Sequence, residues 1–465
     1  LKVSRHTIIT LAIVLLLLPV GLVQAAGYNL AGVGAKALAM SGAFRGISDD
    51  WSAMYWNPAG LAGQESIVYL EVKSLYPVVW VTPKVPGQLS GYEFYRNSRE
   101  ISTRQAGFPA GAFAMTYRHS EKMTFGFSLF APTAIGADWE KLTVAPPAGY
   151  NNTVPWPDKD WQSDLKVIDI HPSVGYQATD KLKVGAGLSV VYALLSLQTP
   201  VLVPTGAPMP YQNFYAIGEL EGSGIGFGFN VGALYDITEM LSVGVSYKGP
   251  VTVGVEGNMN QTVYLPYNPA LSAANGNDPR FLGGTEEASP DAIADFPLPQ
   301  EAGIGFALRP FKGLVLGFDA MWTNWGAVDV ITVEADGDGP FGQPAQDTEM
   351  ALHYEDVIRF NVGGEYTILP ESGLKLRAGY YYDPTAIPDA GLRPTITDVN
   401  VKHSVSFGAA YNISSKLIVE GYWEHLFTNT RQSQAEYDAD GVLENLPGYW
   451  KMQVDTFGLQ FSYRF

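Results

Sequence analysis

Six histidines, His6, His119, His171, His353, His403 and His425, are the first candidates for metal or acid–base chemistry. No two stand at zinc-ligand spacing, and no HExxH motif is present. The chain has 0 Cys, which removes thiolate nucleophiles, thiolate zinc sites and iron–sulfur clusters. Asp169 and His171 share a strand face by the parity of Ile168, Ile170 and Val174, and they point into an interior. Part of an acyl hydrolase and plain wall polarity are both open there, although no G-x-S-x-G elbow accompanies the pair. Gly32-Val33-Gly34-Ala35-Lys36-Ala37 fits GxGxxA. A dinucleotide site needs a strand before that motif and a βαβ unit around it, and neither is legible. Asp336-Gly337-Asp338-Gly339 resembles half of a calcium loop without the later bidentate Glu. A Ca²⁺ role beside lipopolysaccharide and a merely solvated loop both stay open. No cofactor, no metal and no catalytic residue is expected.

The elements that would position such residues are strands. Only 16% of the 465 residues are charged, against roughly 25% in an average soluble protein. Aromatics reach 12% and Gly numbers 50, a mix that suits strands with close backbone approaches. The formal charge of −17 argues against nucleic acid as a partner. Lys2 and Arg5 precede an apolar run over 8–23, and Val23-Gln24-Ala25 offers small residues at cleavage spacing. Residues 1–25 therefore read as a secretory signal peptide. No second apolar stretch of about 18 residues follows, so an exported soluble protein or a β-barrel is expected.

From residue 65 onward, alternating apolar runs meet at tight polar turns. The turns are His119–Lys122, Thr179–Lys181, Asp236–Glu239, Arg309–Lys312, Pro370–Gly373 and Asn412–Lys416. Long connections lie between them, at 81–104, 136–160, 199–219, 259–295, 331–350, 384–400 and 429–449. Short turns alternating with long loops predict 14 antiparallel strands: 65–80, 105–119, 122–135, 161–178, 181–198, 220–236, 240–258, 296–309, 312–330, 351–368, 373–383, 401–412, 416–428 and 450–465. That is an all-β membrane protein of the outer-membrane barrel type, over 65–465. Along 181–198 Leu182, Val184, Ala186, Leu188, Val190 and Tyr192 take one face, opposite Lys183, Gly185, Gly187 and Ser189. The last strand alternates in the same way through Phe457, Leu459, Phe461, Tyr463 and Phe465. Tyr463 and the terminal Phe465 resemble the assembly signal of outer-membrane proteins, which implies the barrel-assembly machinery as a partner.

Residues 26–64 do not alternate. Small residues dominate, with Trp51, Tyr55 and Trp56 followed by Asn57-Pro58-Ala59. This segment reads as a hatch packed inside the barrel, because those aromatics would otherwise stand in water. Asn57-Pro58-Ala59 should hold a tight turn there.

The chain resembles the FadL/TodX family of outer-membrane transporters for long-chain fatty acids and hydrocarbons. The residues that carry the resemblance are AGYNL at the mature start, SGAFRGISDDWSAMYWNPAGL, FGFSLFAPTAIGADWE, DIHPSVGYQATDKLKVGAGLSVVYA, FNVGALYDITEMLSVGVSYKGP, MWTNW at 321–325 and LRAGYYYDPTAIPD. It spans the mature chain. It implies 14 strands, capture of a hydrophobic molecule on outer loops, lumen binding, hatch movement and sideways exit near the third strand. Passive transport across the bacterial outer membrane by a monomer, among lipid and lipopolysaccharide, is the function expected.

Several residues are candidates for that path. Ala131-Pro132-Thr133 lies in the third strand, and proline has no N–H for the ladder. Either the wall kinks there, as the resemblance implies, or Pro132 simply lies above the membrane. Asn230, Asp319, Arg359, Asn361, Glu365 and Arg377 face inward by parity. Arg359 and Arg377 each have a fork for a carboxylate, or pair with Asp319, Glu365 or the hatch. Tyr150, Trp156, Leu202 and Phe214 stand in apolar, Pro-rich loops, as a capture groove, as mutual loop packing, or as both. The alternatives for the whole chain are a general aqueous porin, an outer-membrane lipid hydrolase and a barrel without transport.

Overall fold

The computed structural model describes residues 32–86, 99–104, 107–143, 150–205, 207, 210–395, 398–437 and 443–465. The expected signal peptide, the start of the hatch and part of the 136–160 connection lie outside those residues.

Fourteen antiparallel strands close into a barrel. They are β1 (Ile67–Pro83), β2 (Phe108–Arg118), β3 (Met123–Asp138), β4 (Gln162–Gln177), β5 (Leu182–Pro204), β6 (Asn213–Asp236), β7 (Leu241–Lys248 and Val251–Tyr264), β8 (Asp291–Leu298 and Glu301–Leu308), β9 (Leu314–Thr323 and Val330–Asp336), β10 (Thr348–Ala351 and Val357–Leu369), β11 (Leu374–Asp383), β12 (Lys402–Asn412), β13 (Leu417–Thr428) and β14 (Gly448–Arg464). Closure is by β1 on β14, in unbroken register from Ile67 opposite Arg464 to Pro83 opposite Gly448. Closing the sheet leaves no edge to meet lipid, which is what makes a strand-built membrane protein possible.

The expected alternation holds on β5 and β14. Val184, Leu188, Tyr192, Phe457, Leu459, Phe461, Tyr463 and Phe465 are exposed on the outer face, while Ser189, Thr456, Gln460 and Ser462 are buried inside. The strands also run further outward than the sequence suggests. Segments expected as loops, 199–219 and 259–295, contain the ends of β5, β6, β7 and β8, a helix Pro269–Ala274 and a short strand Thr285–Ala288. Outside the bilayer the outward face no longer needs to be apolar. Glu256 and Asp295 are exposed there, so the alternation that marks a membrane strand is lost.

Inside the barrel lies the hatch. It is built from α1 (Ala35–Ala39), α2 (Ala53–Trp56) and a 3₁₀ turn at Pro58–Leu61. Trp51, Ala53, Met54, Asn57 and Leu61 are fully buried, so this segment is interior rather than a tail.

Candidate functional site

The Asn57-Pro58-Ala59 turn is held inside the barrel by its own side chains. Pro58 takes the first position of the 3₁₀ turn, where its missing N–H has no partner to lose. Asn57 Oδ1 accepts from the Ala59 N–H at 3.2 Å. Asn57 Nδ2 donates to the Arg45 carbonyl at 3.0 Å and to the Ala233 carbonyl of β6 at 3.1 Å. One side chain thus ties the turn to the rest of the hatch and to the wall. Glycine makes room for it: a Cβ at Gly185 would lie 2.2 Å from the Pro58 carbonyl carbon, and one at Gly232 would lie 2.1 Å from Asn57 Oδ1. These inward-facing glycines are therefore a packing surface for the hatch.

Charged wall residues meet the same segment. Asp319 Oδ2 accepts from the Phe44 and Arg45 N–H groups at 3.2 and 2.9 Å and pairs with the Arg45 guanidinium at 3.3 Å. Glu365 lies 3.5 Å from Lys36 of α1 and 2.7 Å from Arg377, which also reaches Glu420 at 2.7 Å. Asn361 donates to the Ser41 carbonyl and Asn230 to the Met54 carbonyl. Asp319 and Glu365 thus meet the hatch, and Arg377 meets Glu365. Arg359 places its guanidinium 3.8 Å from the centroid of the Tyr381 ring. Within the hatch, burial with the Glu420 charge nearby pushes the Asp50 carboxyl up to about 7.

Asp169 and His171 are buried inside, as their parity predicts. Ser189 Oγ donates to Asp169 Oδ2 at 2.9 Å and lies 2.9 Å from His171 Nδ1, while His171 Nε2 is 3.2 Å from Asn230 Oδ1. The aspartate bonds the serine, and both ring nitrogens are engaged, so this is not the order of a nucleophile–base–orienter relay. It is a polar network that joins three strands to the hatch through Asn230.

Above the hatch the interior turns apolar. Side chains from most of the strands form one cluster, among them Leu75, Val167, Val191, Val251, Leu298, Val357, Tyr381 and Trp450. Further out, Tyr150, Trp156 and Phe214 are buried in a second cluster, with Leu202 packed against it. The four loop residues chosen from sequence therefore do converge, with Tyr211, Tyr264 and Phe281 completing the group. Asp336 and Asp338 lie in the outer region. Among the described residues, no group of three or more His, Asp or Glu is arranged to hold a metal ion.

The wall is interrupted at the third strand. The β2–β3 ladder runs from Arg118 opposite Thr124 to Ala112 opposite Phe130 and stops. Beyond it β3 pairs with β4 alone, and the register shifts between Phe130 and Thr133, leaving Ala131 and Pro132 as a bulge. The other edge of this window is Phe108–Gly111 of β2, which pairs with β1 and contains a second proline, Pro109. The Arg104 N–H, bonded to the Asp138 carbonyl at 2.8 Å, bounds the window above. At about 3.3 Å per residue and a tilt of about 40°, the window begins about 20 Å above the turn before β3, inside the apolar band.

The family model for "Outer membrane protein transport protein (OMPP1/FadL/TodX)" matches residues 17–465 of the chain. The chain belongs to this family. It is therefore an outer-membrane protein, a location its barrel fold fits. Among FadL/TodX relatives, it is 22% identical to the long-chain fatty acid transport protein of Escherichia coli over 65% of this chain and 68% of that protein. It is also 22% identical to a putative outer membrane protein of Neisseria meningitidis, over 53% of this chain and about half (52%) of that one. Solved FadL/TodX structures share the fold. A Pseudomonas aeruginosa FadL homologue superposes with a TM-score of 0.73 at 19% identity, covering 95% of this chain and 100% of that one. The Pseudomonas putida toluene transporter TodX gives 0.71 at 18% identity, covering 94% and 99%.

Sequence reasoning missed several residues of this region. Pro109 at the second edge of the window carried a signal, a proline inside a predicted strand. Lys248 and Tyr55, which meet at the top of the hatch, carried only inward parity and an aromatic type.

Proposed function

We propose that this protein moves hydrophobic small molecules passively across the outer membrane. The relatives named for long-chain fatty acids and for toluene set the substrate range considered. Cargo is captured by the outer aromatic cluster around Tyr150, Trp156, Leu202 and Phe214. It passes among the apolar side chains above the hatch and leaves sideways through the window at Ala131-Pro132-Thr133 as the hatch shifts. The observation that carries this reading is the position of the window. It stands beside Phe130, where the apolar cluster meets the hatch, and the space below is filled by buried hatch residues. Water-soluble cargo would need a wet passage through that filled end. Hydrophobic cargo needs only a side door into the bilayer.

The terminal strand, with Tyr463 and Phe465 on the lipid face, serves as the signal read by the barrel-assembly machinery. The protein works as a monomer among outer-membrane lipid and lipopolysaccharide, without a cofactor. The test is uptake of labelled oleate and labelled toluene by cells expressing the protein, normalised to surface protein. At least one should enter several-fold faster than in cells without it. Equal entry of both, together with large ion conductance in planar bilayers, would replace this reading by that of an aqueous porin.

A further inference from the structure

The outer face of the seam that closes the barrel, β1 against β14 with β13 beside it, changes chemistry with height. At mid-depth Gly421 of β13 points outward, between the buried Glu420 and Tyr422, and its missing side chain leaves a hollow. The hollow is a groove of ≈ 490 Å³ along Val72, Ser74, Gly421, Phe457 and Leu459. A Cβ at Gly421 would lie 3.2 Å from Leu459 Cδ2, so a longer side chain there would fill the groove. At about 3.3 Å per residue and a tilt of about 40°, Asp455 stands about 23 Å above the foot of β14, at the upper rim of an apolar band about 25 Å tall. Asp455 Oδ1 accepts from the Trp423 indole at 3.0 Å and lies 3.0 Å from His425 Nδ1, so polar side chains begin at that rim.

About 10 Å higher the same face turns cationic. Lys451, directly across from Trp80, holds its ammonium 5.1 Å from the centroid of that ring, and Lys84 holds its own 4.9 Å from the centroid of Tyr449. The rings fix both ammonium groups on neighbouring strands without neutralising them. Lys84 is exposed. Lys451 pairs with Glu100 at 2.9 Å between side chains that are 40% and 54% exposed, a pair weak enough for a phosphate to displace. The chain as a whole carries −17, so these cations are a local feature of the seam rather than part of a general basic field.

An occupant of this face needs apolar chain at the depth of Gly421 and negative charge above the rim. The outer leaflet of the outer membrane is built of lipopolysaccharide, whose lipid A end joins several acyl chains to phosphates on a sugar. Its chains lie at the level of the groove and its phosphates at the level of the two lysines.

We propose that the outer face of the β13–β14–β1 seam is a binding site for lipopolysaccharide, with an acyl chain of lipid A in the groove at Gly421 and a lipid A phosphate on Lys84 and Lys451. The phosphate accepts charge-assisted hydrogen bonds from both Nζ atoms. The site lies on the outside of the wall and is independent of what the barrel carries. The test is native mass spectrometry of protein extracted from outer membranes in mild detergent, reading the fraction that keeps lipopolysaccharide bound. It compares the wild type with the double variant Lys84→Gln and Lys451→Gln, with Gly421→Leu, and with Lys416→Gln. Lys416 also lies over a ring, Tyr463, but at the opposite end of the barrel. Each variant is checked for heat-modifiable mobility as a folded barrel. The bound fraction falls about tenfold or more in the double variant and several-fold in Gly421→Leu, and stays within about twofold in Lys416→Gln. Added diphosphoryl lipid A displaces the wild-type lipid, and dioleoylphosphatidylglycerol at the same concentration does not. A wild type that keeps no lipopolysaccharide, an unchanged fraction in the double variant or in Gly421→Leu, an equal loss in Lys416→Gln, or equal displacement by the phospholipid would each overturn the site.

Discussion

Among the described residues the barrel wall is interrupted between β2 and β3 and again across β7 to β10, and these two interruptions are treated differently. Between β2 and β3 the ladder ends at Ala112 and Phe130, and the edges above it are Phe108–Gly111 and the Ala131-Pro132 bulge. Phe, Pro, Ala and Gly offer no polar side chain to bridge such a gap. On the far side, β7, β8, β9 and β10 all break as well, at Gly249-Pro250, Pro299-Gln300, 324–329 and 352–356. There side chains stitch the wall. Tyr247 donates to Gln300 at 2.6 Å, Gln300 to Asn324 at 3.0 Å, and Asn324 to Asp356 at 2.9 Å. Asp356 also accepts from the Trp322 indole at 3.0 Å and from the Gly326 N–H at 2.9 Å. An interrupted ladder near lipid is expensive, and the second break shows how this chain closes one when closure is all that is needed. Among the described residues the first shows no such stitch along β2, and that contrast supports the proposal that the window rather than the break serves transport.

The largest effect expected from disturbing this contrast lies at the window. Pro132→Val, or deletion of one residue within 131–133, lets β3 pair continuously with β2. Uptake of hydrophobic cargo then falls about tenfold or more, while heat-modifiable mobility shows an intact barrel. Full uptake by a variant whose third strand is shown to be continuous would remove the side door.

Next in size is loosening of the hatch. Replacing Asn57 and Pro58 together by Ala removes the bonds to the Arg45 and Ala233 carbonyls and the fixed φ of the turn. Planar-bilayer recordings should show a several-fold rise in ion leak, with altered uptake. An unchanged conductance and unchanged uptake would make the turn a purely structural element.

At the stitched break the effect moves from transport to stability. Asp356→Ala removes three hydrogen bonds and should lower the unfolding free energy by about 1–3 kcal/mol, read as a lower denaturant midpoint. Uptake should stay within about twofold of the wild type. A drop as deep as that at Pro132 would mean that both interruptions serve transport.

The smallest effect concerns pH. The Asp50 carboxyl is raised from 3.8 to about 7 in the docked hatch. The docked state therefore holds a proton that the undocked state releases, and docking weakens as pH rises from about 4 to 7 and levels off above it. Ion leak should rise between pH 5 and pH 8 in the wild type and stay flat in Asp50→Asn. A parallel rise in both proteins would place the titrating group elsewhere.

The strand count and facing were legible because lipid demands an apolar outer face and short turns repeat on one side. Val184, Leu188 and Tyr192 announce their face by type alone. The outer tier was not legible. Glu256 and Asp295 belong to strands that have left the bilayer, where nothing enforces alternation. The second break was hidden for a related reason: Gly249-Pro250 falls inside a run that reads as one continuous strand over 240–258. The inward charges were found and the pairing of Arg377 with Glu365 was among the readings left open, but the hatch residues that the carboxylates meet were not named. Asp319 meets Arg45 and Glu365 meets Lys36 across hundreds of residues, and parity says which way a side chain points without saying what it meets.

The central claim, that cargo leaves between β2 and β3, is tested most directly by tying those edges together. If the register of Ala112 opposite Phe130 continued upward, Phe108 would face Ala134. The chain has 0 Cys, so a variant with Phe108→Cys and Ala134→Cys, which leaves Pro132 in place, carries one possible disulfide. Oleate uptake would be followed in that variant after oxidation, with cross-linking verified by mass spectrometry, and again after reduction. The account predicts at least about a tenfold loss of uptake in the bridged protein and recovery on reduction. Undiminished uptake through the bridged wall would contradict it.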